Sequence, residues 1–442
     1  MRARWIATLA VVALAAAACA NSNAGTTKHS GTATTTHTDG GSVTSIQGGN
    51  FPPVDAPGVT PTEIRVSGVT STTNPVGGLY GTAADGVQAY FDMVNSQGGV
   101  YGRKLVLVNR HDDQLANNKR EVEAIIDQDN AFAVLPVATP FSFSGAPLLV
   151  QNGIPTYGWG ITDEWSGPAN LFGNLGALCN GTGCPYIWWP YVAQKLHKHR
   201  MAVLAYNVPA SAQCVDTLKA SFDKYPTAKI VYATKALPYG GTDMSADVKH
   251  MVDDNVDTVV SCLDNNGTLT LAREMRQQGL QAVMILQNAY DHDFMAKNGG
   301  FFQGSVVLVQ QAPVETTPKF TALQDYITWM DKAGYTTTEN SGIGWINADM
   351  FVTALRDAGP SFSRQKVIDA LNRETAYDAG GMAPPLDWTK QHIDRHYPRS
   401  CIAFTAVRNG KFVPQWGAPG KPFVCWDGNP STVAQAKPYA RQ

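Results

Sequence analysis

The sequence predicts an α/β fold with two doubly wound parallel-sheet lobes that are joined by a multi-crossing hinge. The chain has 442 residues, of which 44% are hydrophobic and 16% are charged, and this is enough for two domains of α/β size. From Glu63 onward, short β-rich runs alternate with segments of helical periodicity, which is the pattern of a parallel sheet covered by helices. The alternation begins again after a loop that contains Cys179 and Cys184, and this restart predicts the second lobe.

Four strands and three helices are predicted for the first lobe. The first helix follows the first strand, because apolar residues from Ala83 to Val94 recur at helical spacing and Gly98-Gly99 ends the run. The predicted strands are 64–69, 105–109, 132–137 and 154–157, and the other two helices are 121–127 and 144–152.

The second lobe repeats this alternation. Its predicted helices are 186–198, 214–224, 245–254 and 268–278, and its predicted strands are 201–206, 230–234, 256–261 and 282–286. One more strand at 305–310 and helices near 319–333, 345–358 and 364–372 are too few for a third domain, so they are expected to complete the lobes and the hinge. The predicted boundaries are 61–177 plus 301–385 for the first lobe, 178–300 plus 386–428 for the second, and 429–442 for a C-terminal tail.

The N-terminus has the features of an export signal. Arg2 and Arg4 precede an apolar run that ends at Ala18, and the run is shorter than the roughly 20 residues that a permanent membrane helix needs. Residues 1–18 are therefore predicted to be a signal peptide. The small residues before Cys19 resemble a bacterial lipobox, in which the cysteine is acylated and anchors the protein to the membrane.

Two alternatives concern this cleavage site. Ala16 stands where the lipobox pattern favours leucine, and Ala16-x-Ala18 is also compatible with ordinary signal peptidase cleavage, which would release a secreted protein. Lipidation is favoured because residues 19–60 are rich in glycine, serine, threonine and asparagine. Such a composition cannot form a core and predicts a flexible tether.

Cysteine usage agrees with export. Without Cys19, six of the seven cysteines remain, and an even number in an exported chain favours disulfides. No paired CxxC motif accompanies them, so a zinc site is not expected. Local turns suggest two of the pairs and elimination leaves the third: Cys179–Cys184, Cys401–Cys425 and Cys214–Cys262.

Charge and motifs exclude several functions. The net charge is −2, the isoelectric point is about 6.5, and the only basic cluster is short, at 197–200, so no nucleic-acid partner is expected. G-x-S-x-G, H-E-x-x-H and phosphate-loop motifs are missing from the sequence. His111, Asp112 and Asp113 are adjacent at a strand end and would point in different directions. We therefore predict no catalytic residues, no cofactor and no metal.

Six segments stand in the order and spacing of a known family: 64–68, 80–81, 95–105, 112–113, 152–155 and 273–280. Together they resemble the branched-chain amino-acid-binding family of type I periplasmic binding proteins, over about residues 61–415. The resemblance implies a cleft between the lobes that closes on a small polar solute, such as an amino acid, an amide or a small carboxylate. It also implies an ABC permease and an ATPase as partners.

The resemblance assigns residues to the ligand as well. In the first lobe these are an aromatic residue before the first helix, two strand-end loops and a tryptophan of a later helix; in the second lobe they are polar residues at strand ends. Carried over position by position, they are Tyr80, Thr139, Phe141, Ser142, Gly160, Ile161, Thr162 and Trp345 from the first group, and Ser211, Asp264 and Asn288 from the second.

Two positions depart from the family pattern. Asn288 stands where amino-acid binders of the family have an acidic residue for the ligand's ammonium, and Asp264 stands where an aromatic residue is frequent. Asp264 can supply the missing carboxylate, or it can be a turn residue before an Asn-Asn-Gly run. Thr139 and Ser142 can equally be helix caps, and Trp345 can be a core residue.

The predicted function is that of a lipid-anchored, extracytoplasmic substrate-binding component of an ABC importer, without enzymatic activity. A ligand-sensing receptor of the same fold is the alternative, because lobe closure can also act on a membrane signalling partner. An exported hydrolase is a third hypothesis, and it would need a nucleophile and a base that the sequence does not reveal.

Overall fold

The computed structural model describes residues 51–176, 179, 181–393, 401–426 and 432–438. The predicted signal peptide, Cys19 and most of the predicted tether lie outside the described residues. The described residues belong to one structural unit, and this unit contains two β-sheets.

The first sheet is built from the first strands of the chain. In chain order the elements are β1 (Glu63–Thr70), α1 (Thr82–Ser96), β2 (Lys104–Asp112), α2 (Asn118–Gln128), β3 (Ala133–Ala138), α3 (Ala146–Gln151), β4 (Thr156–Gly158) and β5 (Leu171–Gly173). The strands are parallel in the order β2-β1-β3-β4-β5. Every residue of β3 is buried, as expected for a strand that helices cover on both faces.

The rest of the chain supplies the second sheet and most of the helices. The elements are α4 (Trp188–Lys195), β6 (Arg200–Tyr206), α5 (Pro209–Lys224), β7 (Lys229–Leu237), α6 (Ser245–Asp253), β8 (Thr258–Cys262), α7 (Asn265–Gln277), β9 (Val283–Leu286), α8 (His292–Asn298), β10 (Val306–Val309), α9 (Thr321–Ala333), α10 (Glu339–Ala358), α11 (Arg364–Leu371), α12 (Trp388–Gln391), β11 (Cys401–Arg408), β12 (Lys411–Gln415), β13 (Phe423–Cys425) and β14 (Lys437–Pro438).

The second sheet is mixed. Its strand order is β14-β13-β11-β10-β9-β8-β6-β7, with β12 paired to β11. Strands β6 to β10 are parallel, whereas β11 to β14 pair antiparallel at one end. The predicted α/β class with two sheet-based lobes is confirmed, and the antiparallel extension adds strands that the predicted alternation did not contain.

Strand β10 corrects one predicted boundary. The division at residue 301 assigned this strand to the first lobe, but Val306 pairs with Ile285 of β9 and with Ala406 of β11. The strand therefore lies inside the second sheet. Both edges of β10 form backbone hydrogen bonds with strands of the second sheet. Hydrophobic periodicity alone does not show with which sheet a strand will pair.

Helices α9 to α11 return to the first sheet. Helix α10 packs on α1, β3 and β4, and α9 packs on α1. Within the described residues the chain passes between the sheets three times, after β5, after β10 and after α12. Several connections of this kind form a hinge about which two lobes can close.

The contact between α1 and α10 is a backbone contact. A Cβ atom on Gly344 would lie 1.8 Å from the carbonyl oxygen of Ala83, and one on Gly86 would lie 1.9 Å from the carbonyl oxygen of Ser341. Only a residue without a side chain allows two helices to approach this closely.

We expect Gly344→Ala to lower the free energy of unfolding by about 1–3 kcal/mol, because the helices must separate to admit the methyl group. Urea denaturation measures the change. Gly300→Ala is the matched control, since a Cβ atom there meets no atom within 4 Å. Equal stability of the two variants would contradict the close helix contact.

The three predicted disulfides are confirmed. The structure joins Cys179 to Cys184, Cys214 to Cys262 and Cys401 to Cys425. The first closes the loop before α4, the third joins paired residues of β11 and β13, and the second links α5 to the end of β8.

Candidate functional site

A cavity of about 170 Å³ lies between the two lobes. We call it the inter-lobe cavity. It is bordered by residues that follow β3, β4, β6, β7, β8, β9 and β10, including Pro140, Trp159, Val208, Tyr239 and Gln310. Carboxyl ends of parallel strands share one edge of a sheet, so these loops from both sheets converge on one place.

Seven aromatic side chains line the cavity. The rings of Tyr80 and Trp159 stack at a centroid distance of 5.8 Å, and the rings of Tyr206 and Tyr239 meet edge to face at 5.2 Å. The aromatic residues that line the cavity are Tyr80, Trp159, Tyr186, Trp188, Trp189, Tyr206 and Tyr239. Such a wall favours a ligand with an apolar or aromatic body.

Several contacts cross the cleft beside the cavity. Gln213 Nε2 donates a hydrogen bond to Asp163 Oδ2 over 3.1 Å, and Trp159 Nε1 donates to Gln310 Oε1 over 3.2 Å. The ring of Phe141 lies 5.5 Å from the ring of Tyr239. Residues of the first sheet's loops thus touch residues of the second sheet's loops, as in a closed form.

The Cys214–Cys262 disulfide belongs to the cavity wall. Both cysteines line the cavity, and Gln287 Nε2 donates to the sulfur of Cys214 over 2.7 Å. Ser211 is held beside it, because its hydroxyl accepts from Tyr206 N and donates to the carbonyl oxygen of Cys262. The disulfide therefore fixes the second-lobe side of the site.

Asp264 combines the two predicted roles. Its Oδ1 atom caps α7 by accepting from the backbone N–H groups of Asn266 and Gly267, at 2.8 and 3.0 Å. Its Oδ2 atom is buried without a hydrogen-bond partner among the described residues, and the residue lines the inter-lobe cavity. One oxygen thus serves the helix, and the other is available to a ligand.

The tyrosines around Asp264 stay protonated. Burial and then the nearby Asp264 carboxylate raise the pKa of Tyr239 to about 12. Burial, followed by the charge on Asp264, also raises the pKa of Tyr206, and burial, Tyr239 and Asp264 raise that of Tyr80. The rings are therefore neutral at physiological pH.

A smaller chamber of about 30 Å³ adjoins the cavity. We call it the side pocket. It shares Tyr80, Trp159, Asp264 and Asn288 with the inter-lobe cavity, and its other lining residues are Gly78, Leu79, Asn265, Tyr290, Asp291, Thr338, Glu339 and Asn340. The two chambers thus have a common boundary of one carboxylate, one amide and two aromatic rings.

Glu339 is a buried acid in the side pocket. It is 5% exposed, and its Oε1 atom has no hydrogen-bond partner among the described residues. Burial raises the pKa of Glu339 to about 8. It lies in the first turn of α10, immediately after Thr338, whose hydroxyl accepts from Ser341 N in a capping box.

Glu339 should make stability depend on pH. Its pKa is raised in the folded state, so the folded protein holds the proton between about pH 4.5 and 8 while the unfolded chain releases it. This contribution is fully present below about pH 4.5 and is lost as the pH rises toward 8. We expect Glu339→Gln to be more stable than the parent by about 1–3 kcal/mol at pH 8 and nearly equal at pH 5.

Urea denaturation at the two pH values measures this difference. Glu123→Gln is the matched control, because that carboxylate is half exposed and lies 3.9 Å from Lys119. A Glu339→Gln variant that is less stable than the parent at pH 8 would show that the carboxylate is paired rather than isolated.

The structure brings five of the predicted ligand-binding residues to the cavity: Tyr80, Ile161, Ser211, Asp264 and Asn288. Ile161, Asp264 and Asn288 follow strand ends, Tyr80 lies just before α1, and Ser211 lies in the first turn of α5. Their role toward a ligand stays a prediction.

The other six predicted residues lie outside the lining of the inter-lobe cavity, and their role toward a ligand also stays a prediction: Thr139, Phe141, Ser142, Gly160, Thr162 and Trp345. Trp345 is 2% exposed and packs against the rings of Tyr90 and Tyr326, so it is a core residue. The hydroxyl of Thr139 donates to the carbonyl oxygen of Ser142, which ties the loop to itself. Phe141 contacts the cavity residue Tyr239 from outside the lining.

Two further residues pack locally. Gly160 lies against the backbone of Gly173 and Gly176, which a Cβ atom would approach to 3.0 and 3.1 Å, so close strand-end packing requires the glycine. Thr162 is buried and precedes the short helical turn at Asp163–Trp165. Neither lines the cavity.

Several lining residues were not predicted. Trp188 and Trp189 begin α4, Gln287 directly follows β9 and Gln310 directly follows β10. The strand-end positions of the two glutamines could have indicated them. Glu339 was missed because helix α10 was predicted to begin at 345, although the Thr338-x-x-Ser341 capping pattern marks the true start.

No metal site emerges from the part of the chain that the structure describes, where no group of three or more histidine, cysteine, aspartate or glutamate side chains could hold an ion. The side chain of His111 forms hydrogen bonds with Glu121 and Asp129, whereas that of Asp113 accepts a hydrogen bond from Ser71. These two side chains therefore point in different directions, as predicted. No helix in this part of the chain is both long and apolar enough to span a bilayer.

Comparison with known protein families agrees with the observed fold. Residues 63–411 match a family model described as periplasmic binding protein. The chain belongs to this family. A search of curated protein sequences found no match.

Solved structures of type I periplasmic binding proteins share the fold. A fatty acid ABC transporter substrate-binding protein from Thermomonospora curvata is 17% identical with a TM-score of 0.67, covering 87% of this chain and 94% of that one. A branched-chain amino acid ABC transporter protein from Thermus thermophilus with bound valine is 19% identical with a TM-score of 0.65, covering 80% and 95%.

A third relative is the solute-binding protein of an ABC transporter from R. palustris in complex with benzoate. It is 13% identical with a TM-score of 0.62, and the alignment covers 83% of this chain and 98% of that one. At these identities the likeness concerns the fold, and the periplasmic binding protein family as a whole is one of solute-binding proteins rather than enzymes.

Proposed function

We propose that the protein is the extracytoplasmic substrate-binding component of an ABC importer. It holds one small solute in the inter-lobe cavity and releases it chemically unchanged to a permease that an ATPase drives. The observation that carries the proposal is the aromatic-lined cavity at the carboxyl-terminal edges of both sheets, bridged by contacts such as Gln213–Asp163, in a chain of the periplasmic binding protein family.

The cavity limits the size of the solute. Its volume of about 170 Å³ is close to that of an engineered cavity of about 150 Å³ that holds benzene. Structural relatives hold valine and benzoate, which are of this size. The aromatic wall favours a solute with an apolar body, and this narrows the predicted class of small polar solutes.

Trp159→Ala should lower the affinity for the physiological solute at least about tenfold, because Trp159 lines both chambers and bridges the lobes through Gln310. A thermal-shift screen of small solutes finds the ligand, since specific binding raises the melting temperature by mass action. Isothermal titration calorimetry then measures both proteins.

Trp329→Ala is the control for this experiment. Trp329 lies on α9 under Lys332, away from the cavity lining. The affinity of Trp329→Ala for the solute should therefore equal that of the parent. Small-angle scattering should show a smaller radius of gyration with ligand than without. Recovery of a chemically altered ligand would exclude the binding function.

We also propose that Cys19 is the lipid anchor. Its place after an apolar run and before the Gly/Ser/Thr-rich segment supports this. Metabolic labelling with a fatty acid should mark the parent and leave Cys19→Ser unmarked, and the variant should leave the membrane fraction. An unlabelled parent would instead support cleavage after Ala18 and a secreted protein.

A further inference from the structure

The ionisable side chains around the site are all acids. Three carboxyl groups line the side pocket, those of Asp264, Asp291 and Glu339. No lysine, arginine or histidine of the described residues lines either chamber. A ligand that enters therefore meets acidic groups without a cationic side chain to balance them.

Oxygen atoms without partners concentrate in the side pocket. The buried atoms Asp264 Oδ2, Asn265 Oδ1, Glu339 Oε1 and Asn340 Oδ1 have no hydrogen-bond partner among the described residues, and all four residues line this pocket. A buried acceptor without a donor is costly, and a buried carboxylate more so. These oxygens are arranged to receive hydrogen bonds.

The pocket has the size of a single small group. At about 30 Å³ it admits one group about as large as a water molecule, which is the size of an ammonium. Tyr80 and Trp159 border it on the side of the inter-lobe cavity. Aromatic rings attract cations through their faces. The rings and the carboxylates would therefore both stabilise a positive group at this boundary.

The first-lobe loops offer little to a ligand carboxylate. The hydroxyl of Thr139 donates to Ser142 O, Gly160 N donates to Asn174 Oδ1 and Ile161 N donates to Trp159 O. These residues belong to the two first-lobe loops that the family resemblance assigned to the ligand. These three donors are engaged within the protein, whereas the buried hydroxyl of Thr162 has no partner among the described residues.

We propose that the solute is an organic amine without a carboxylate, whose ammonium lies in the side pocket between Asp264 and Glu339 and whose apolar body fills the inter-lobe cavity. The proposal rests on the proposed binding function and specifies its substrate class. It differs from the predicted amino acids and carboxylates, because no cationic side chain of the described residues lines either chamber to balance the charge of a carboxylate.

Protonation of Glu339 should make binding depend on pH. The titratable groups that face it in the side pocket are Tyr80, Asp264, Tyr290 and Asp291, and none of them is a cation. Burial raises the pKa of Glu339 to about 8, so an ammonium must displace its proton at lower pH. We expect amine affinity to increase at least about tenfold from pH 6 to pH 8.5 in the parent and to stay flat in Glu339→Gln.

A matched series of probes tests the charge. Leucine, isoamylamine and 4-methylpentanoate share one carbon skeleton and are zwitterionic, cationic and anionic; benzylamine and benzoate form a second pair. Calorimetry at pH 8 should show that the two amines bind at least about tenfold more tightly than leucine, 4-methylpentanoate and benzoate. Asp264→Asn should remove about tenfold or more of that affinity while keeping the cap, since asparagine also caps helices.

Asp387→Asn is the control for the cap. Asp387 caps α12 by accepting from Thr389 N and does not line either chamber. The affinity of Asp387→Asn for the amines should therefore match that of the parent. Circular dichroism confirms that each variant is folded.

The outcomes separate this inference from the binding function. Tighter binding of leucine, 4-methylpentanoate or benzoate than of the amines overturns the inference and leaves the binding function intact. No binding of either amine at about 10 mM overturns it as well, since a charge-paired site of this kind should bind well below that concentration. Failure of every solute in the thermal-shift screen counts against the binding function itself.

Discussion

The parallel direction of the strands is the constraint on which the site depends. Strands of one sheet that run the same way end at the same edge, so their loops converge without any contact between residues that are close in sequence. Two such edges face each other here, and Trp159 of one meets Gln310 of the other. The backbone contact of α10 with α1, which Gly86 and Gly344 allow, keeps the returning helices on the first sheet and brings Glu339 to the cleft.

The site carries polar groups that the fold does not satisfy. Other buried acids have partners: Asp349 accepts from the hydroxyls of Tyr90 and Tyr377, and Asp113 accepts from Ser71 and Asn118. Within the described part of the chain, Asp264 and Glu339 each retain an oxygen without a donor. Buried groups of this kind lower stability and are characteristic of binding sites, because a ligand can satisfy them.

Sequence patterns predicted the fold better than the site. The alternation of strand and helix, the first helix and the three disulfides all agree with the structure. Two of the predicted residues, Ser211 in the first turn of α5 and Asp264 after β8, also lie at the cavity. Trp345 does not, because which face of α10 meets the cleft is decided by its packing on α1.

By itself the sequence determined the α/β class, the restart that makes a second lobe and the pairing of the cysteines, and it predicted a site at the ends of strands. These depend on local periodicity, turn chemistry and chain direction, all of which can be read along the chain. Only the tertiary structure decided that β10 joins the second sheet, that Trp188 and Trp189 line the cavity and that Glu339 is buried beside Asp264. Those facts depend on contacts between residues far apart in the chain, and no local pattern encodes which distant surface a side chain will meet.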